Sequence, residues 1–139
     1  METLRWFVSF LSKRKIDTMR REQAVWLALR TDRAIVAKNT KNAFSQFFGK
    51  LSLSDQDLEK FRQTKSEARF LFDDDVNLFL ERVLGQFCKA TSCRSWATNA
   101  NDPEKRSFYR QKADDAAIKL SLLSEVADET FDRYLSYNK

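Results

Sequence analysis

Residues 66–87 read SEARFLFDDDVNLFLERVLGQF. Three aspartates, Asp73 to Asp75, stand between two apolar stretches. They either hold a metal or start a helix. A calcium loop alternates its oxygen ligands along the chain and usually carries a central glycine. Three adjacent aspartates without that glycine do not fit it. An N-cap at Asp73 or Asp74 does fit, with the other acids in the first turn. There a carboxylate accepts from free backbone N–H groups and suits the positive end of the helix dipole. Val76, Leu80, Val83, Phe87 and Ala90 then repeat by four and three, which marks one face of a helix. The stretch reads as helix, acidic turn, helix. A magnesium site completed by ligands from elsewhere is the alternative; the expectation is no metal and no cofactor.

The same reading extends outward. The 139 residues include only 2 glycines and 1 proline, so tight turns have little raw material. Upstream, nothing breaks a helix from Ile16 to Phe48, where Val25, Leu29, Val36, Ala43 and Phe47 recur by four and seven. Gly49 is the expected stop. Ser54 then caps a second helix, with Asp55 and Asp57 in its first turn and Leu58, Phe61, Ala68 and Phe72 along it. Downstream, Asp102-Pro103 reads as N-cap and first helical position. Tyr109, Ala113, Ala116, Leu120, Leu123, Ala127 and Tyr134 continue from there, so one helix runs from about Pro103 to Leu135 unless Ser124 divides it. The expectation is an all-α fold: an antiparallel bundle of about four helices, long first and last, in a single domain over residues 1–139. Phe70, Phe72, Phe79 and Phe87 are expected to fill its core. Phe44, Phe47, Phe48 and Phe61 close one end, or Phe47 and Phe48 form a patch that a partner covers.

Composition narrows the chemistry. There is no histidine, which removes the commonest general base and zinc ligand. No glycine-rich phosphate loop can be built around Gly49 and Gly85 alone. Glu67, Arg69 and Asp73 form the one carboxylate–arginine group near an aromatic turn. Such a group is more often an ion pair at a helix junction than a catalytic site. Cys88 and Cys93, five residues apart, lie about 140° apart around a helix and do not pair. They read as reduced thiols of a cytoplasmic protein. No enzyme activity is expected.

Charge is uneven. Residues 1–50 carry 11 Lys and Arg against 4 Asp and Glu, whereas residues 51–139 carry 14 against 16. The basic third points to an anionic partner. Its candidate contacts are Lys13, Arg14, Lys15, Arg20, Arg21, Arg30 and Lys38. The segment 1–15 is apolar and then basic. Leu4 to Leu11 is far shorter than the roughly 20 residues of a membrane span. Trp6, Phe7, Phe10 and Leu11 could instead lie in a membrane interface with the following cations on headgroups, or pack as a short helix.

The stretches SEARFLFDDDVNLFLERV and FDRYLSY resemble small, uncharacterised bacterial helical proteins. Their soluble part carries an ARFLF segment, an acidic turn and an aromatic F..YL helix. The likeness spans about residues 55–137. Many such proteins carry an N-terminal membrane anchor followed by a basic helical stretch. The resemblance implies a membrane-proximal place, at the inner face of the membrane, and no reaction. Here the apolar run is half a span, so the expectation is that the anchor has been lost or shortened, or lies upstream of Met1. Taken together, the residues describe a non-catalytic interaction module that binds a protein partner, with a membrane surface or a homo-oligomer as further partners. The alternative is a nucleic-acid-binding or accessory subunit of a bacterial complex, with a role in phage–host conflict.

Overall fold

A computed structural model of the chain describes the backbone of residues 2–136 and the side chains of residues 17–136. Among these there are four helices and no strand: α1 (Glu2–Lys50), α2 (Asp55–Ala68), α3 (Asp74–Asn99) and α4 (Pro103–Leu135). The fold is all-α. The chain divides into two compact units, with the boundary inside α1 between Asp32 and Arg33.

The first unit is helical, and between Asp17 and Asp32 no side chain is buried. Trp26 and Leu29 are half-buried; the rest are exposed. Val25, expected on the buried stripe, is 59% exposed. Within this unit the helix has no second layer to cover that face.

The second unit holds the core. Val36, Ala37, Ala43, Phe44 and Phe47 of α1 are buried, and Thr40 among them returns its hydroxyl to the Val36 carbonyl at 2.8 Å. The α1 end differs from expectation. The helix runs through Gly49 to Lys50, and Leu51 takes the left-handed conformation, φ 56°. Its N–H closes the last turn on the Phe47 carbonyl. Buried Leu53 then donates its N–H to Thr91 Oγ1 on α3, 3.1 Å away. Ser54 caps α2 by accepting from the Asp57 N–H at 3.1 Å. Asp102 caps α4 by accepting from the Glu104 N–H at 3.1 Å, with Pro103 at the first helical position. No break occurs at Ser124.

Helices α3 and α4 pack antiparallel. Phe79, early in α3, meets Phe131, late in α4, at 6.1 Å between ring centres. Trp96, late in α3, meets Tyr109, early in α4, at 5.5 Å. Two aromatic clusters organise the unit. Phe87 of α3 receives Phe44 and Phe47 of α1 and Phe61 of α2, at 5.6, 5.5 and 5.2 Å. Phe72, Phe79, Phe131 and Tyr134 form the other, with Phe72–Tyr134 at 4.9 Å and Phe72–Phe131 at 5.5 Å. Such tilted and edge-on pairs are the arrangement the ring quadrupole favours.

Phe70 is the exception among the phenylalanines expected inside. It is 85% exposed, because α2 ends at Ala68 and residues 69–72 form a turn. The N–H groups of Leu71 and Phe72 both return to the Ala68 carbonyl at 3.1 Å. That geometry turns Phe72 inward, and Arg69 lies over the exposed Phe70 ring at 5.8 Å. Phe48, at the rim of the other cluster, is 38% exposed, while Phe47 beside it is fully buried.

Candidate interaction surface

The basic residues singled out in the sequence fall into three groups. The side chains of Lys13, Arg14 and Lys15, and of Trp6, Phe7, Phe10 and Leu11, lie outside the described residues. Arg20, Arg21 and Arg30 belong to the first unit and are exposed. Arg30 lies over the Trp26 ring, 5.6 Å from its centre. Lys38 is exposed on the second unit. So the described part of the first unit carries arginines interleaved with exposed Met19, Val25 and Leu27. Cation and apolar surface alternate along one helix. No helix among the described residues is long and apolar enough to cross a membrane.

The aspartates answer to α4. Asp73 is the N-cap residue of α3, yet its carboxylate makes no cap hydrogen bond. Asn77 instead ties the turn by donating to the carbonyls of Phe72 and Asp73, each at 3.0 Å. Asp75 Oδ1 accepts from the Tyr134 hydroxyl at 2.6 Å, and its Oδ2 lies 3.1 Å from Arg133. Arg133 also donates to the Tyr134 oxygen and stands 3.6 Å from Asp73. From α1, Arg33 stacks over Tyr134 at 5.3 Å and donates to the Leu71 carbonyl at 2.7 Å. The carboxylate–arginine pair expected around Glu67 and Arg69 is therefore built from Asp73, Asp75 and Arg133. Among the described residues, no three acidic or thiol side chains converge as a metal would require.

The electrostatics follow from this geometry. Partial burial acts to raise the Asp75 pKa, but the Tyr134 hydroxyl, the Val76 N–H and the Arg133 charge outweigh it and hold the carboxyl below its ordinary value. Burial, and the hydrogen bond given to Asp75, push the Tyr134 hydroxyl up. Both groups thus keep the protonation state that the bond needs across the neutral range. The cluster ties three segments of the fold together.

A third surface had no signal in the core stripe. Ile118, Leu122 and Val126 of α4 are exposed, opposite the buried Ala116, Leu120 and Ala127. Their spacing of four makes them neighbours on one face. Asp115 and Glu125 stand three residues outside the ends of the Ile118–Leu122 pair, and Glu129 follows Glu125 by four, so all three acids share that face. Both cysteines are free thiols, Cys93 buried and Cys88 half-buried. The sequence matches no protein-family model, no curated protein and no solved structure.

Proposed function

We propose that this chain is a non-catalytic helical interaction module, placed in the cytoplasm, that meets an acidic protein partner through its basic first helix. One observation carries the reading: between Asp17 and Asp32 that helix buries no side chain, although it bears Met19, Val25 and Leu27 among arginines. Helices in proteins owe most of their stability to packing of an apolar face. A helix with uncovered apolar side chains is what a partner groove or a second helix takes up. The basic excess of residues 1–50, 11 Lys and Arg against 4 Asp and Glu, selects an acidic surface and speeds encounter with it.

Hydrogen exchange on the full chain tests this. In dilute solution the amides of residues 17–32 should exchange quickly. In a cleared lysate of the source cells they should become protected, and Arg20→Glu with Arg21→Glu should remove that protection. Protection by vesicles of anionic phospholipid would move the segment to a membrane surface. Protection by duplex DNA or RNA that fades steeply with salt would make it a nucleic-acid contact. Fast exchange under every condition would sink the module reading.

A further inference from the structure

We propose that the junction of α3 and α4, residues 94–112, binds single-stranded nucleic acid. The proposal concerns the second unit alone and stands independently of the first-helix reading. Three rings gather at this junction. Trp96 is 53% and Phe108 55% exposed. Half-buried Tyr109 meets both, each at 5.5 Å between ring centres. A cleft of about 430 Å³ opens beside Trp96 and Tyr109, and Asn99, Asn101 and Lys105 line it as well. The two carboxamides can both donate and accept, as the edge of a base requires.

Charge selects the occupant. From Pro103 to Lys112, α4 carries Lys105, Arg106, Arg110 and Lys112 against Glu104. From there to residue 132 it carries six Asp and Glu against one lysine, Lys119. The helix changes sign along its length, and the rings stand at its positive end. Arg94 of α3 adds a fifth cation. Asp102 and Glu104 both stand at the start of α4, where Asp102 accepts from the Glu104 N–H and the helix dipole offsets negative charge. Lys112 Nζ lies over the Phe108 ring, 5.4 Å from its centre. Arg94 and Arg110 together line a recess of about 260 Å³, which Asp114 also borders. Neither arginine is ion-paired among the described residues. A planar guanidinium suits phosphate oxygens. The cations can therefore take the backbone of a strand while its unstacked bases lie on the rings. A double helix keeps its base faces covered and offers the rings nothing to stack on.

Fluorescence anisotropy of labelled oligonucleotides with the full chain tests this. The probes are single strands of about 12 nucleotides, within the span of known single-strand sites, as RNA and as DNA, and the matching duplexes. At physiological salt the wild type should bind at least one single strand with a Kd of about 1–100 µM, and more tightly than the duplex. Trp96→Ala with Phe108→Ala should weaken that binding about tenfold or more through lost stacking. Lys105→Gln with Arg110→Gln should instead lower the slope of log affinity against log salt by about 1.4, at roughly 0.7 per phosphate contact. All four residues are exposed, so both variants should keep the wild-type helical content and melting curve. Arg20→Glu with Arg21→Glu should leave strand binding within about twofold, which separates this site from the first helix. No binding of either single strand overturns the proposal, as does a duplex that binds as tightly. Binding that survives loss of both rings overturns it too. If only the Arg20 and Arg21 variant loses the strand, the nucleic-acid contact lies on the first helix and the junction has no part in it. If the junction variants lose only the binding of anionic phospholipid vesicles, the rings meet a membrane surface and the proposal fails.

Discussion

Two stretches of α1 carry the same apolar spacing and meet opposite fates. Val36, Ala43 and Phe47 are buried, with Phe47 touching Phe87. Val25 and Leu29, on the same four-and-seven series, are exposed and half-buried. Periodicity reports which face of a helix needs cover. It does not report that the same chain supplies the cover. The first stretch has α2 and α3 to pack on within its unit. The second carries exposed Val25 and half-buried Leu29 with nothing of its own unit above them.

Truncation measures this contrast most directly, at protein concentrations low enough to keep association out of the stability. Phe47→Ala should cost about 3–5 kcal/mol in denaturant unfolding, through lost burial and the cavity left behind. Val25→Ala should stay within about 0.5 kcal/mol. Equal costs would mean that residues 17–32 are packed in solution. The same contrast can be drawn across α4. Leu120→Ala, at a fully buried side chain, should cost about 2–5 kcal/mol. Leu122→Ala, at an exposed side chain, should leave stability unchanged to within about 0.5 kcal/mol.

Tyr134→Phe sharpens the comparison at the Asp75 cluster, where cover is polar. Losing the hydroxyl removes one hydrogen bond to a charged partner and should cost about 1–2 kcal/mol. The pH dependence should change with it. The Asp75 carboxyl is held below its ordinary value of 3.8, so its contribution is present above that pH and is lost as pH falls through the lower folded value. Stability of the wild type should therefore fall more steeply below about pH 4 than that of Asp75→Asn. Tyr134 is shifted the other way, and its contribution is present below pH 10.0 and lost above it. The smallest effect is a gain. Gly85 lies inside α3, is exposed, and has open space where a Cβ would stand. Gly85→Ala should add about 0.5–1 kcal/mol by reducing the freedom of the unfolded chain.

Much of the fold was legible. The caps at Ser54 and Asp102 are local chemistry, readable from three or four consecutive residues; the spacing carried α4 from Pro103 to Leu135 but left a division at Ser124 open, which does not occur. The misses have physical causes. Gly49 was the expected stop, but an α-helix tolerates glycine, and buried Leu53 with its bond to Thr91 fixes where the chain leaves. Phe70 was expected inside because the FLF of residues 70–72 is uniformly apolar; the turn at residues 69–72 gives its three side chains no common face. Phe131 is buried and sits where the 4-3 series places a residue between Ala127 and Tyr134. The Asp75–Tyr134 bond joins residues 59 apart. No spacing rule reaches that far, so the aspartates read only as helix starters. The outer α4 strip was legible in principle as a second period of four, masked by the stronger stripe that fills the core.

The second aromatic cluster has a consequence for synthesis. Phe72 and Phe79 find their cover in Phe131 and Tyr134, which the ribosome adds much later. At about 5–20 residues per second, Phe79 waits roughly 3–10 seconds for Phe131. From the addition of Asn99 to that of Phe131, α3 is complete while one of its apolar faces is bare. A nascent chain in this condition is a natural client for a holding chaperone. Slowing translation between residues 80 and 131 should lengthen that dependence, whereas slowing it after residue 134 should not.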